Sequence, residues 1–324
     1  MQSDAPELLT LYARMALIRR AEERLAKLFA DGEVPGFVHL STGQEAVSVG
    51  VCAALVDTDT IASTHRGHGH ALAKGVALDG FFAEIMGRAS GLCAGRGGSM
   101  HVAEMRVGML GANGIVGGGL PIAVGSALAH QVKHRPNVAV VFFGDGAMAE
   151  GALHECLNLS ALWKLPLVFV CENNGWSEFS PLARQFGASL AALGAAFGIP
   201  HEKLDGMDVE PVAAAARRLV AAARSGQGPH ILECGTQRWR GHYEGDPQKY
   251  RDADELAQAR SHDPLAVAAA RLAAQGIPAD RLRAIEEEIA SRIDAAVTAA
   301  RASAEPEFAS ASAGVYASAG AARA

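Results

Sequence analysis

No two cysteines of the sequence stand as CxxC. The five present, Cys52, Cys93, Cys156, Cys171 and Cys234, are an odd number and sit mostly in apolar runs. That argues against a disulfide framework or a cysteine metal site, and buried free thiols in a reducing compartment are expected. Positive charge is not in excess. Against 29 Lys and Arg stand 35 Asp and Glu, a net charge of −6, which removes the electrostatic case for nucleic acid or an anionic membrane as partner. Apolar runs stop well short of a bilayer span. The N-terminal MQSDAPELL lacks the basic-then-apolar order of a signal peptide, so a cytoplasmic location is expected. The glycine-rich loops match neither the P-loop nor GxGxxG, and a nicotinamide site is not supported.

What the chain does have is apolar content of 49% against 20% charged, enough for a large core in one or two domains of a 324-residue protein. Residues 138–143 (VAVVFF) and 167–171 (LVFVC) are short, continuous apolar runs, the pattern of strands buried on both faces of a parallel sheet. Between them, residues 151–163 place Leu153, Cys156, Leu157, Ser160 and Ala161 at helical spacing, and Pro166 closes the connection. This is a βαβ unit. Its polar tips, Gly144-Asp145-Gly146 and Glu172-Asn173-Asn174, fall at the carboxyl ends of its strands, the edge where open α/β sheets bind ligands. A carboxylate, an amide oxygen and phosphate oxygens make a magnesium shell. The bland alternative, a turn Asp and a turn Asn in an ordinary α/β protein, is the lesser reading, since short motifs also match falsely.

Residues 7–30 predict an amphipathic helix with Leu8, Leu11, Met15, Ile18, Leu25 and Leu28 as its stripe and Asp31-Gly32 as its stop. Residues 41–45 (STGQE) are expected to cap a helix running to about Leu55. His39, alone, has the character of a structural hydrogen-bonder. His65, Arg66, His68 and His70 crowd around Gly67 and Gly69. Histidine clusters bind zinc, but no Cys or Asp stands near, and an anion site is the better reading: Arg66 offers a bidentate fork and a helix from about Ala71 its N-terminus. Residues 91–101 (GLCAGRGGSMH) read as a flexible loop bearing Arg96 and His101. Gly114-Ile115-Val116 would suit a flat heterocycle, and 120–130 is an apolar, small-residue helix. Residues 176–190 read as loop, 193–199 as helix, 203–208 as strand and turn, 209–225 as helix, and 229–235 as a buried strand extended by 236–239, with a polar loop at 240–246. Four or five strands alternating with helices give an open, mostly parallel α/β sheet with helices on both faces. Residues 1–250 form that domain, 251–304 a helical extension of it with Leu256, Leu265, Leu272 and Ile285 as core contacts, and 305–324 an Ala/Ser/Gly-rich tail expected to be disordered.

Eight motifs in order carry a resemblance: 36–46 (GFVHLSTGQEA), 65–69 (HRGHG), 95–101 (GRGGSMH), 111–117 (GANGIVG), 144–146 (GDG), 162–166 (LWKLP), 172–174 (ENN) and 238–247 (RWRGHYEGDP). From about residue 7 to 300 the chain resembles the alpha subunits of thiamine diphosphate-dependent 2-oxo acid and acetoin dehydrogenases, and its wording is most similar to the acetoin type. Where pyruvate-type relatives commonly have Tyr before the phosphate-binding Arg, this chain has His65. Where some have a phosphorylatable Ser after the loop His, it has Tyr243, so that regulation is not expected.

The resemblance implies the thiamine diphosphate-binding fold, with thiamine diphosphate and Mg2+ as cofactors. Asp145, Asn174 and the carbonyl of Trp176 would hold the metal. Arg66 and His65 would bind the diphosphate, with backbone of Gly146 and Ala147. Gly114 and Val116 would meet the aminopyrimidine, and His242 and His39 would flank the reaction centre as catalytic residues. The implied reaction is cleavage of the bond beside a carbonyl and transfer of a two-carbon unit to a lipoyl group. The glutamate that activates the cofactor would come from a separate beta subunit, in an alpha/beta heterotetramer partnered by a lipoyl-bearing acyltransferase. The glycine-rich region 67–151 would be the partner surface. Alternatives are pyruvate or a branched-chain 2-oxo acid as substrate, or a non-catalytic cofactor-binding or scaffold subunit.

Overall fold

A computed structural model describes residues 7–311. The helices α1 (Glu7–Ala30) and α2 (Glu45–Cys52) lead to strand β1 (Thr60–Ala62), then α3 (His68–Lys74), α4 (Leu78–Ile85), β2 (Met109–Gly111) and α5 (Gly119–Val132). The central unit is β3 (Ala139–Gly144), α6 (Gly151–Trp163) and β4 (Leu167–Asn173). A small hairpin, β5 (Trp176–Ser177) and β6 (Ser180–Pro181), precedes α7 (Leu190–Ala196), β7 (His201–Asp205), α8 (Val209–Arg224) and β8 (His230–Gly235). Three helices follow: α9 (Ala253–Ser261), α10 (Pro264–Ala274) and α11 (Ala279–Ala302).

The main sheet has six strands in the order β2-β1-β3-β4-β8-β7, and every pairing is parallel. Alternation along the strands explains why they are continuously apolar. Val140, Phe142, Val168, Val170 and Leu232 face one core, with α1, α2, α4, α8 and α11. Val141, Phe143, Leu167, Phe169 and Ile231 face the other, with α5 and α6. Both faces are therefore buried, as a parallel sheet requires. The chain runs outward from β1 to β2, then returns to β3 on the opposite side of β1. The strand order reverses between β1 and β3, and their carboxyl ends open a crevice there.

The expected βαβ unit and the helix at 7–30 are present, with α6 and α1 at the predicted boundaries. The sheet is wider than the four or five strands expected, because β1 and β2 have only three residues each. Residues 41–42 do not cap α2. Its N-cap is Gln44, without a side-chain bond, while the Glu45 carboxylate accepts the Gly43 N–H at 3.1 and 3.0 Å. The hydroxyls of Ser41 and Thr42 instead donate to Glu22 on α1. The helix stops at Cys52, short of Leu55, and β8 ends at Gly235 without the expected extension through 239. Residues 308–310 form a 3-10 turn; the rest of the expected tail, 312–324, lies outside the described residues. Helices α10 and α11 share the first core through Ala268, Leu272, Ile289 and Ile293.

Helix α2 crosses α8 where neither tolerates added bulk. A Cβ on Gly50 would lie 2.7 Å from Cγ1 of Val212 and 3.0 Å from the Ala213 nitrogen. Ala in place of Gly gains about 1 kcal/mol of helix propensity, but overpacking a core contact costs about 1–3 kcal/mol. The clash wins. Gly50→Ala is expected to lower the urea midpoint, and Val212→Ala in the same chain to recover part of the loss. A midpoint raised by Gly50→Ala alone would refute this packing.

Candidate active site

The tip of β3 carries the central group. Asp145 follows Gly144 directly and begins a 3-10 turn through Ala149. Its side chain is 1% exposed. One carboxylate oxygen accepts the Asn174 N–H at 3.3 Å, and the other is buried without a partner among the described residues. Burial, only partly offset by hydrogen bonds from backbone N–H groups and by the charge of Arg238, raises its pKa to about 6. Asn174 lies just past the end of β4, hydrogen-bonded beside β3. Its Oδ1 accepts the Trp176 N–H at 3.1 Å, and its Nδ2 donates to Gln44 at 3.5 Å. The tips of β3 and β4 thus bring Asp145 and Asn174 to one pocket, whose lining also includes Trp176 of β5.

Across the switch point, the end of β1 supplies His65 and Arg66. Arg66 is buried and holds two loops together, donating to the Leu40 carbonyl at 2.5 Å and to the His242 carbonyl at 3.0 Å. Burial, then the neighbouring Arg238, lowers its pKa to about 10, so it stays cationic at neutral pH. The same pocket wall includes Gly114, Ile115 and Val116 from the loop before α5, and Gly146 and Ala147 from the turn after β3. His39, His65 and His242 meet ring against ring, with centroids 4.7, 5.0 and 5.2 Å apart. Burial is the first cause that keeps all three uncharged, and Arg66 the second: His39 is lowered to about 3, His242 to about 4, and His65 well below its ordinary value. Every residue expected in the site lines this one pocket.

The histidine-rich segment divides. His65 turns into the pocket, but His68 and His70 are structural. His68 bonds Glu22 at 3.3 Å and Ser99 at 2.9 Å. His70 bonds Ser63 at 2.7 Å and Glu172 at 3.2 Å, stacked 3.9 Å from Phe142. The helix there begins at His68, not Ala71, and spans only seven residues. The glycine-rich loop is tied, too. The Glu84 carboxylate accepts N–H groups from Cys93, Gly95, Gly97 and Gly98 at 2.6, 2.9, 2.7 and 3.2 Å. His101 bonds the Gly97 carbonyl at 3.1 Å within that loop.

Sequence reasoning left Arg238 without a role. It is 1% exposed, lines the pocket, and donates to the Glu178 carbonyl at 3.0 Å and the Tyr250 hydroxyl at 2.9 Å. An Arg three residues past a buried strand was the available signal. With Arg66 it puts two guanidiniums beside a carboxylate and carbonyl oxygens, a set that suits a polyanion bridged to a hard divalent cation.

The partly satisfied Asp145 carboxylate has a measurable consequence. Its folded pKa lies above the unfolded value, so the fold favours the protonated form, and stability falls as pH rises through about 6. Asp145→Asn is therefore expected to stabilise the metal-free chain at pH 8 by up to about 3 kcal/mol. Below pH 4 the gain should vanish. Denaturant unfolding with a chelator present measures both; a variant less stable than the parent at pH 8 would show that the charge carries no penalty.

Comparison with known proteins supplies the family. The family model described as dehydrogenase E1 component matches residues 13–309. The alpha subunit of acetoin:2,6-dichlorophenolindophenol oxidoreductase from Bacillus subtilis (strain 168) is 48% identical over 90% of this chain and 87% of its own length. The subunit of the same name from Cupriavidus necator is 45% identical over 94% and 92%. The alpha subunit of the pyruvate dehydrogenase E1 component from Rhizobium meliloti is 41% identical over 92% and 87%. The chain belongs to the dehydrogenase E1 component family, thiamine diphosphate-dependent oxidoreductases, as an alpha-type subunit.

Proposed function

We propose that this chain is the alpha subunit of an enzyme that cleaves acetoin and passes its two-carbon unit to a lipoyl group. The observation that carries the reading is the buried Asp145 carboxylate with an unpartnered oxygen, set between Asn174 and the cations Arg66 and Arg238. The residues fit the cofactor. Asp145, Asn174 and the Trp176 carbonyl would hold Mg2+, which takes hard oxygen ligands and shares them with a diphosphate. Arg66 and His65, with backbone of Gly146 and Ala147, would hold the diphosphate, and Arg238 adds a second cation. Gly114 and Val116 would bear on the aminopyrimidine. Bound there, thiamine diphosphate supplies the carbanion and the electron sink for cleaving the bond beside a carbonyl.

The chain's own contribution to the chemistry is proton handling. His242 and His39 are uncharged at neutral pH, so a ring nitrogen of either can accept a proton. Cleaving a hydroxyketone requires its hydroxyl proton to leave, whereas a 2-oxo acid loses carbon dioxide with no such transfer. Uncharged imidazoles suit the first task, and the identities to the two acetoin-named subunits support the same substrate. The pyruvate-named relative supports the second reading, pyruvate.

The motifs assign no glutamate of this chain to activation of the cofactor. Two carboxylates line the pocket besides Asp145: Glu172, which is engaged by His70, and Glu178, which is exposed at the turn of the small hairpin. We assign the activating glutamate to a beta subunit, in a heterotetramer served by a lipoyl-bearing acyltransferase, with the glycine-rich region 67–151 as partner surface. A cytoplasmic location belongs to the proposal and rests on five free thiols, four of them buried.

The test is reconstitution with a beta subunit and reduction of an artificial electron acceptor. Acetoin should be turned over at least about tenfold faster than pyruvate or a branched-chain 2-oxo acid; the reverse order defeats the substrate assignment. Asp145→Ala should abolish magnesium-dependent binding of thiamine diphosphate in calorimetry. Undiminished binding in that variant would remove the site, and binding without any turnover would favour a non-catalytic subunit.

A further inference from the structure

We propose that His39, His65 and His242 form a second cation site, for a borderline first-row divalent ion of the zinc class, distinct from the oxygen ligands around Asp145. Three separate segments bring the rings together: the stretch before α2, the end of β1 and the loop after β8. One ligand nitrogen from each lies within 4.8 Å of the others. A tetrahedral shell with bonds of about 2.0–2.1 Å spaces its nitrogens about 3.3 Å apart, so rotation of the rings closes the set. The rings meet tilted at 71°, 77° and 54°, not stacked.

The nitrogens are available. Nδ1 of His39 is buried with no partner, and none of the three rings has a side-chain hydrogen bond among the described residues. This contrasts with His68 and His70, whose ring nitrogens are all engaged. Imidazole binds metal through its uncharged form, and burial holds all three in that form. Imidazole ligands select zinc, nickel and copper, while carboxylate and carbonyl oxygens select magnesium. One pocket thus offers two sets of ligands of different chemistry.

The groups facing the cluster set its character. Arg66 donates to the Leu40 and His242 carbonyls, and Arg238 to Glu178 and Tyr250. Asp246 accepts the backbone N–H of His242 at 2.7 Å. Two guanidiniums weaken the site for a bare dication and favour an anion, hydroxide or chloride, as fourth ligand. Three protein ligands with an open fourth position is a known zinc arrangement. An ion there would occupy the reaction centre and inhibit turnover. That consequence rests on the function proposed above; the binding does not, and binding is what the experiment reads.

The untagged full-length chain, stripped with chelator and free of magnesium and thiamine diphosphate, is titrated with Zn2+ by calorimetry. Co2+ is added in parallel to read the coordination geometry from its visible absorption. One ion should bind per chain, with the spectrum of a four-coordinate site of three nitrogens and an anion. His65→Ala and His242→Asn should each weaken binding at least about tenfold, the scale seen even for removing an outer-shell group. Asp145→Ala should leave it unchanged. No uptake, uptake undiminished in both histidine variants, or uptake lost with Asp145→Ala overturns the proposal. Should His65→Ala fail to fold by thermal melting, His242→Asn, on a surface loop, decides alone.

Discussion

The carboxylate of Asp145 is the constraint on which the site depends, because it is a charge buried with one oxygen unanswered. Such a group survives only where its surroundings cannot relax around it. Strand β3 meets that condition. It pairs with β1 on one side and over six residues with β4 on the other, and its side chains are locked into two separate cores. The tip of this central strand can neither retreat to solvent nor find a partner, so its open lone pairs stay directed into the crevice at the switch point.

The other buried carboxylates sharpen this point by contrast. Glu22 accepts Ser41 N–H and Oγ–H, the Thr42 hydroxyl and a contact from His68. Glu84 accepts four N–H groups of one loop. Glu45 is forked by Arg19, and Asp59 by Arg224. Each is answered in full and fixes structure. Glu22 joins α1 to the segment bearing His39 and Leu40, and the Leu40 carbonyl in turn holds Arg66. The satisfied carboxylates thus position the site, and the unsatisfied one belongs to it.

How much of this was legible in the sequence follows the range of each interaction. Helices α1 and α6 have their boundaries written locally, in a periodic stripe, Gly32 and Pro166, and the structure keeps them. Strands β1 and β2 were not legible, because three residues carry no periodicity and become strands only by lying beside β3 and each other. The residues 65–70 show the same limit. Four chemically able side chains stood in a row, but their division between pocket and scaffold is decided by Glu22, Ser99 and Glu172, each remote in sequence. Ser41 and Thr42 had the wording of a helix cap, in which the hydroxyl oxygen accepts an N–H, yet both hydroxyls lie against the buried Glu22 carboxylate and donate to it. Arg238 was visible as a residue and not as a role, since its partners Glu178 and Tyr250 lie on loops.

The two sides of the crevice differ in a way that bears on the missing partner. On the Asp145 side, Arg66, Arg238 and the carboxylate are almost wholly enclosed. Elsewhere in its lining, Ile115 is 72% exposed and Val116 nearly half, although both flank the pocket. Scattered exposed apolar residues are ordinary, but these sit together around one opening, and apolar surface beside a functional crevice is the signature of a face covered on assembly. The charged half of the pocket is finished within the chain, with its electrostatics fixed by burial. The apolar half is not finished, and a flat heterocycle held against Gly114 and Val116 would be in water on its other face. On the function proposed above, an active site split in that manner would make the chain dependent on a second subunit for the step that needs a dry environment, and would leave the binding of the charged tail to the chain itself.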